Sequence, residues 1–320
     1  MRLTLKDKKR LYRLIYQFVV ENARILIREI SKAIKTSGRT ASACLKEAIE
    51  KGHIVGPHIR KRSFLNFMEY DYFVHCEDPL ELYLQFIEDQ RVVYHAIMDG
   101  FADLWVVSTE EIDIEGDVLV GGPRSDYYMS FPPDHSWDTA IQTMREKIEN
   151  FNPKGYEPKR YIENHWNQTV KWDKEDEILY RYFKYNLRKP VKTIMDGKII
   201  SGWKVYQWFD RLPETCTILT SYFPETISAY DPYIFVFETD YEDFIIDLFS
   251  ELPTSCLFFK VSNKLVLYAY IDREFLRKVD SNPNNVAQLH IPLLIRDLSK
   301  KGIIKNKAHA VVNYHWRKDI

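Results

Sequence analysis

NARILIREISKAIKTSGRTASACLKEAIEKGHIVGPHIRKR, residues 22–62, predicts two helices with a tight turn between them and a basic β-wing after them. Apolar residues recur at helical spacing in 24–36 and again in 38–51. Ser37 is placed to cap the second helix, because its side-chain oxygen can accept a backbone N–H that has no helical partner. Gly52 ends that helix, where a left-handed backbone costs no Cβ clash. This pattern is typical of a helix-turn-helix, whose second helix enters the major groove of DNA.

The polar side chains of this stretch supply the candidate DNA contacts. The face of the second helix opposite its apolar stripe is expected to meet base edges or nearby phosphates, and it carries Arg39, Thr40, Ser42 and Lys46. Backbone phosphates would be held by the remaining polar and basic groups, which are Arg24, Lys32, Lys35, Ser37, His58, Arg60, Lys61 and Arg62.

The net charge of −1 hides a strong asymmetry. Residues 1–62 hold 16 Lys/Arg and 5 Asp/Glu, whereas the remaining chain has an excess of 12 acidic residues. A basic head on an acidic body fits a nucleic-acid-binding module joined to a part that does not bind nucleic acid. The alternative is a basic surface that is merely solvated.

The chain repeats itself with an offset of 164 residues. Arg24 then meets Arg188 and Ser37 meets Ser201, so that a second helix-turn-helix is expected in 172–225. Its second helix is rich in aromatic residues, and Lys204 is its main candidate for reading bases. These aromatics favour an interface, so the first head is predicted to be the DNA reader.

Each head is followed by alternating strands and helices. The predicted fold is therefore α+β: two tandem units, each a winged helix-turn-helix followed by a ferredoxin-like sandwich of βαββαβ order. The segment Gly121–Ser125 is interpreted as a turn between two paired strands. The predicted domains are 1–64 (winged helix-turn-helix), 65–150 (ferredoxin-like), 151–171 (linker), 172–225 (second, degenerate helix-turn-helix) and 226–320 (second ferredoxin-like).

These residues resemble the Lrp/AsnC (feast/famine) transcription regulators of bacteria and archaea, in a tandem-duplicated, archaeal-type form. The resemblance rests on Asn22–Arg24, Ser37, Ala41, Gly52 and Ile54 in the head, and on Gly100-Phe101-Ala102-Asp103 as a Gly-x-x-Asp before the third body strand. It implies a sequence-specific regulator that binds double-stranded DNA, dimerises through its bodies and senses a small-molecule effector.

Two alternatives stay open. Siroheme decarboxylases look like Lrp/AsnC proteins and use His and Arg in the body pocket; the residues here that would take that part are His95, Arg124, His290 and His309. The acidic body and the aromatic second head would also suit an interaction scaffold that no longer binds DNA. The main expectation is a regulator that is not an enzyme.

Composition sets the remaining expectations. Four cysteines are scattered without a CxxC pair, which favours a reduced, cytoplasmic protein. Neither a membrane span nor a signal peptide is visible, and a homodimer is expected. No metal-ligand spacing occurs, since His309 and His315 on one predicted strand would lie roughly 20 Å apart. Neither a metal nor a cofactor is therefore predicted.

Overall fold

The computed structural model describes residues 4–197, 200–273 and 287–317, and it has the predicted α+β class. Its internal contacts divide the chain into two compact units: unit 1 is Met1–Arg62 with Val170–Ser228, and unit 2 is Ser63–Thr169 with Ala229–Ile320. Each unit thus draws on both halves of the duplicated sequence.

In chain order the elements are α1 (Leu5–Glu21), α2 (Ile27–Ala33), α3 (Gly38–Glu50), β1 (Ile54–Lys61), β2 (Tyr70–His75), α4 (Pro79–Glu88), β3 (Val92–Gly100), β4 (Leu104–Ser108), β5 (Asp117–Pro123), β6 (Tyr128–Met129), α5 (Trp137–Asn150), α6 (Lys174–Phe183), α7 (Val191–Asp196), α8 (Gly202–Thr215), β7 (Cys216–Tyr222), β8 (Tyr230–Glu238), α9 (Glu242–Phe249), β9 (Leu257–Val261), β10 (Lys264–Asp272), α10 (Ala287–Lys300) and β11 (Asn306–Arg317).

Both predicted helix-turn-helix segments form in unit 1, as α2–α3 and α7–α8. The predicted caps are confirmed: Ser37 Oγ accepts the Thr40 N–H at 3.1 Å, and Ser201 Oγ accepts the Lys204 N–H at 3.3 Å. Gly52 follows α3 with φ of +76°, as its helix-ending role requires. Local capping chemistry therefore sets where both second helices begin.

The two heads, each a helix-turn-helix with the strand that follows it, contact each other within unit 1. Strand β1 pairs antiparallel with β7, with Ile54 opposite Tyr222. Arg24 donates to the carbonyls of Leu187 and Lys189, and Arg188 donates to the carbonyls of Ala23 and Ile25 at 2.7 and 2.8 Å. The two arginines are 164 residues apart, so the duplication produces a reciprocal exchange. The predicted wing thus pairs with the other head instead of folding back as a hairpin of its own.

The strands described in unit 2 form one sheet in the order β5-β2-β4-β3-β11-β8-β10-β9-β6. Its two quartets, β5-β2-β4-β3 and β11-β8-β10-β9, have the same ferredoxin-like order and meet where β3 pairs with β11. The end strands β5 and β6 are consecutive in the chain. The Ser262 N–H also donates to the Pro123 carbonyl at 3.0 Å, so the sheet curls until its two ends meet.

The interpretation of Gly121–Ser125 as a hairpin turn is wrong. Strand β5 pairs with β2 and β6 pairs with β9, so this segment crosses from one end of the sheet to the other. Gly122 has φ of +139°, and a Cβ there would lie 2.1 Å from Ser262 Oγ. The glycine therefore permits a close approach between β5 and the turn that joins β9 to β10.

The two quartets differ in their helices. The second has the predicted β8-α9-β9-β10-α10-β11 order. In the first, the described residues between β4 and β5 contain no helix; this segment is largely polar and exposed, and α5 follows β6 and packs on α10. Helix α4 covers the outer face of the first quartet, where Tyr83 and Phe86 join Tyr72 and Val74 in an apolar cluster.

The inner face of the sheet carries the main core of unit 2, which includes Phe73, Trp105, Val236, Phe259 and Val312. The predicted linker is also attached to this unit, because the backbone N–H groups of 159–161 converge on the buried Asp243 carboxylate at 2.7, 2.9 and 3.1 Å. Among the described residues, no helix is both long and apolar enough to cross a membrane.

Candidate functional site

A cavity of about 230 Å³ lies in unit 2 between the outer face of the second quartet and α10. The strands β8, β10 and β11 contribute one wall, and α10 contributes an apolar wall. Its lining consists of Tyr233, Phe235, Ile271, Ile291, Pro292, Ile295, Lys307, Ala308 and His309. The surface is therefore mostly apolar with a few polar groups, as is usual for small-molecule sites.

Three rings of this cavity lie in a row. The centroids of Tyr233 and Phe235 are 6.1 Å apart with 17° between their planes, and those of Phe235 and His309 are 6.0 Å apart at 24°. The row arises because Tyr233 and Phe235 alternate on β8 while His309 stands opposite Phe235 in the β11 register. The three rings thereby form a near-parallel stack on the outer face of the two strands.

The basic side chains of the cavity are on β11. Lys307 and His309 are two residues apart, so both point to the outer face of the strand, and both side chains are exposed. Among the residues that line the cavity none is acidic. Burial raises the pKa of the Tyr233 phenol, with a further contribution from Asp231, so that this hydroxyl stays neutral. The site therefore suits a ligand with an apolar body and a negative group.

Of the four body residues that the decarboxylase resemblance suggests, His309 alone among the described lining residues borders this cavity. His95 is fully buried against Tyr83 and Trp316, and burial lowers its pKa to about 4. His290 Nδ1 lies 2.5 Å from a guanidinium nitrogen of Arg145. Arg124 is buried in the inner face of the sheet, paired with Glu69 at 2.6 Å. These three side chains therefore do not line the cavity.

The predicted DNA contacts divide into an exposed group and a group engaged within unit 1. The exposed side chains are on α2, the turn and α3: Lys32, Lys35, Ser37, Arg39, Ser42 and Lys46. Thr40 is half-buried, with its hydroxyl 2.9 Å from Ser37 Oγ. Lys46 has only a loose contact with Glu50 at 3.6 Å and keeps 74% of its side chain exposed.

The engaged group covers most of the basic residues around β1. The sequence predicts phosphate contacts for Arg24, Lys61 and Arg62, and the structure instead directs all three to the second head. Arg24 lies over the ring of Phe209 at 4.5 Å, and its burial lowers its pKa. Lys61 pairs with Glu177 at 2.6 Å. Further contacts join Arg62 Nε to the Pro213 carbonyl at 3.1 Å and Arg60 to the Tyr185 ring at 5.9 Å, while His58 is half-buried opposite Leu219.

Lys204, the main candidate for reading bases in the second head, is paired with two carboxylates. Its ammonium group lies 2.6 Å from Asp173 and 2.7 Å from Asp176, and only 10% of its side chain is exposed. The aromatic side chains beside it diverge, since Trp203 and Tyr206 are exposed whereas Trp208 is buried. The first turn of α8 is therefore tied to α6 by charge.

Neither a family model nor a curated protein matches this sequence. Among solved structures, the chain is similar to the crystal structure of the siroheme decarboxylase NirDL, with 11% identity and a TM-score of 0.48 over 96% of this chain and 92% of that chain. A second structure, of NirDL in co-complex with an iron-uroporphyrin III analogue, has 11% identity and a TM-score of 0.43 over 91% of this chain and 86% of that one.

The expectation that the chain is not an enzyme is contradicted at this point, because both similar structures are of an enzyme. Sequence reasoning also missed Lys307, Tyr233 and Phe235. Their signal was the alternation of residues on two strands, which places i and i+2 on one face. Only the pairing of β8 with β11 brings the two faces together.

Proposed function

We propose that unit 2 binds a tetrapyrrole that carries carboxylates and releases one of these as carbon dioxide. The supporting observation is the row of near-parallel rings formed by Tyr233, Phe235 and His309, with the Lys307 ammonium beside it. Flat aromatic ligands pack favourably on such rings. The apolar wall from Ile291 and Ile295 would cover the other side of the ligand.

The size of the cavity sets how the ligand would enter. About 230 Å³ is less than the roughly 300–1,000 Å³ of pockets that enclose a drug-sized molecule. One edge of the macrocycle would therefore be inserted against the rings, while the rest extends past the rim. Carboxylates on the inserted edge would reach the exposed Lys307, since a charge-assisted hydrogen bond favours such a pair.

The chemistry requires a bound carboxylate and a proton. When the bond between the carboxylate and its neighbouring carbon breaks, carbon dioxide leaves and the carbon needs a proton in its place. His309 is the group that would deliver it, because an imidazole can hold and release a proton and the side chain borders the cavity. Lys307 would orient the carboxylate.

A binding titration with uroporphyrin III tests the first part. We expect a shift of its main visible absorption band with the full chain, and about ten-fold weaker binding for Lys307→Ala, as expected for loss of one charged hydrogen bond. Lys300→Ala is the matched control, since Lys300 is an exposed lysine at the end of α10 and does not line the cavity. Equal affinity of all three proteins would contradict the site.

Turnover of siroheme tests the second part. We expect His309→Ala to keep uroporphyrin binding within a few-fold while the release of carbon dioxide falls by 10²–10⁴-fold, the usual contribution of a general acid. Binding without any turnover in the unaltered protein would retain the ligand site and reject the reaction. Unchanged turnover in His309→Ala would reject the role of this histidine.

Nucleic-acid binding by unit 1 is a second candidate function, supported by the exposed polar face of α3. Arg39, Ser42 and Lys46 lie on one side of that helix, and Lys32 and Lys35 precede it. Because Lys61 and Arg62 contact the second head, substitutions at these two positions would also disturb packing. The α3 face offers the cleaner test.

We expect Lys46→Ala to weaken binding to duplex DNA about ten-fold and to reduce the salt dependence of the affinity by about one ion, as for one lost phosphate contact. Lys192→Ala is the matched control, because Lys192 is 85% exposed on the short helix of the second head. A salt-titrated binding assay on genomic fragments gives both quantities. An identical loss in the two variants would contradict recognition through α3.

A further inference from the structure

Three ligand-type side chains meet in unit 2, far in sequence from the residues of the proposed tetrapyrrole site. Asp126, Glu163 and His165 each offer one atom, and these atoms all lie within 4.8 Å of one another. Asp126 is buried between β5 and β6, whereas the other two come from the predicted linker. We propose that this trio binds a divalent transition-metal ion of the zinc class.

The distances fit a shared ion. His165 Nε2 lies 3.3 Å from Asp126 Oδ2 and 3.9 Å from Glu163 Oε2. A direct charge-assisted hydrogen bond would be about 2.7–2.9 Å long. Two ligands at about 2.0–2.1 Å from one ion, separated by a tetrahedral angle, lie about 3.3 Å apart. The spacing between His165 and Asp126 matches this value, and the exposed Glu163 side chain would move closer to His165 to complete the site.

Two of the three ligands are held in place by their surroundings. Asp126 Oδ1 accepts the Ser63 N–H at 2.7 Å and the Ser63 hydroxyl at 2.9 Å, which leaves Oδ2 turned toward His165. The His165 ring stacks on Phe64 at 4.6 Å and 13°, and its backbone N–H donates to Ser63 Oγ at 3.1 Å. Such outer contacts orient metal ligands and raise affinity.

The ligand set indicates the class of ion. Two carboxylates and one neutral imidazole carry a charge of −2, which a divalent cation balances. Imidazole together with carboxylate suits zinc, cobalt or nickel better than magnesium or calcium, which prefer oxygen alone. Glu163 is 62% exposed, so the ion can enter from solvent, and a fourth position is left for water. The ion would fasten residues 163–165 to the β5–β6 segment.

Cobalt and zinc titrations of the full, EDTA-stripped chain test this site. We expect Co²⁺ to give the visible absorption of a tetrahedral N/O site and Zn²⁺ to displace it and raise the melting temperature. Glu163→Gln should weaken the affinity at least ten-fold and His165→Gln should abolish the absorption. Glu157→Gln, an exposed glutamate of the same segment, should bind like the unaltered protein.

Two results would overturn the proposal. One is the absence of cobalt absorption and of any zinc-induced thermal shift in the unaltered chain. The other is binding of equal strength in Glu163→Gln and Glu157→Gln, which would place the ion elsewhere. Since Glu163 is exposed, its substitution leaves the fold intact and keeps the test valid even where His165→Gln unfolds.

Discussion

Arg124→Met is expected to lower the free energy of unfolding by about 3–5 kcal/mol at pH 8, the cost of removing one partner of a buried ion pair. The guanidinium is 1% exposed, donates to Glu69 at 2.6 and 3.1 Å, and lies 4.0 Å from the Asp71 carboxylate. It also covers the ring of Tyr127 at 4.0 Å. These neighbours outweigh the effect of burial and raise the pKa of Arg124, which stays charged. Methionine fills similar space and leaves both carboxylates without their cation.

The matched control is Arg91→Met. Arg91 pairs with Asp89 at 2.8 Å but is half-exposed, and surface pairs of this kind contribute about 0–1 kcal/mol. Urea unfolding followed by circular dichroism measures both variants. Losses of similar size at the two positions would contradict a large contribution of the buried Arg124 ion pair to stability.

Local features of the fold were predictable from sequence because they depend on neighbours in the chain. Ser37 and Ser201 cap their helices as predicted, since an N-cap needs only its own turn. The sequence singled out Gly100 as part of a Gly-x-x-Asp motif but did not show why glycine is needed there. A Cβ at this position would lie 2.5 Å from the His309 carbonyl, an approach that exists only when β3 pairs with β11. Pairing between the halves is a long-range choice that no local pattern contains.

Side-chain direction on β11 shows the same limit. Counting residues places His309 and His315 on one face of the strand. A register shift between Val312 and Tyr314 intervenes, and His315 stacks on Tyr94 while His309 faces Phe235. A bulge reverses every later side chain, and it is set by the partner strand.

The candidate sites were harder to predict than the elements that carry them. Lys204 was a candidate for reading bases because its helix aligns with α3, yet Asp173 and Asp176 at the start of α6 pair with its ammonium group. His165 lies in a polar segment that resembles a linker, and only packing brings Asp126 to it. In both cases the carboxylate that contacts the side chain comes from a distant part of the chain, and only the tertiary fold brings the two together.

Asp71→Asn is expected to change how stability depends on pH. Asp71 is fully buried on β2, and its carboxylate accepts the Trp105 indole N–H at 2.7 Å. Burial raises its pKa to about 7, against the opposing effects of Arg124 and the Trp105 hydrogen bond, and with a smaller contribution from Glu69 in the same direction. An unfolded aspartate has a pKa of about 3.9.

The sign follows from which state holds the proton. Between about pH 4 and pH 7 the folded carboxyl keeps its proton while the unfolded one has lost it, so the free energy of unfolding falls as pH rises. Below that window the carboxyl is protonated in both states, so it does not lower the free energy of unfolding. Above that window it is ionised in both states, and the free energy of unfolding is lowered by the full cost of burying the charge. Three pH units correspond to about 4 kcal/mol.

The measurable quantity is the stability difference between Asp71→Asn and the unaltered chain, since the other carboxylates cancel in it. Glu47, for example, has its pKa lowered to about 2 by hydrogen bonds from Lys51 and Lys8, and contributes the opposite slope in both proteins. We expect this difference to grow in favour of the asparagine variant by about 4 kcal/mol between pH 4 and pH 8. The control is Asp134→Asn, because Asp134 lies in an exposed loop. The stability difference between this variant and the unaltered chain should stay constant with pH. Urea unfolding curves that keep the Asp71→Asn difference constant with pH would show that Asp71 is ionised in the folded protein throughout.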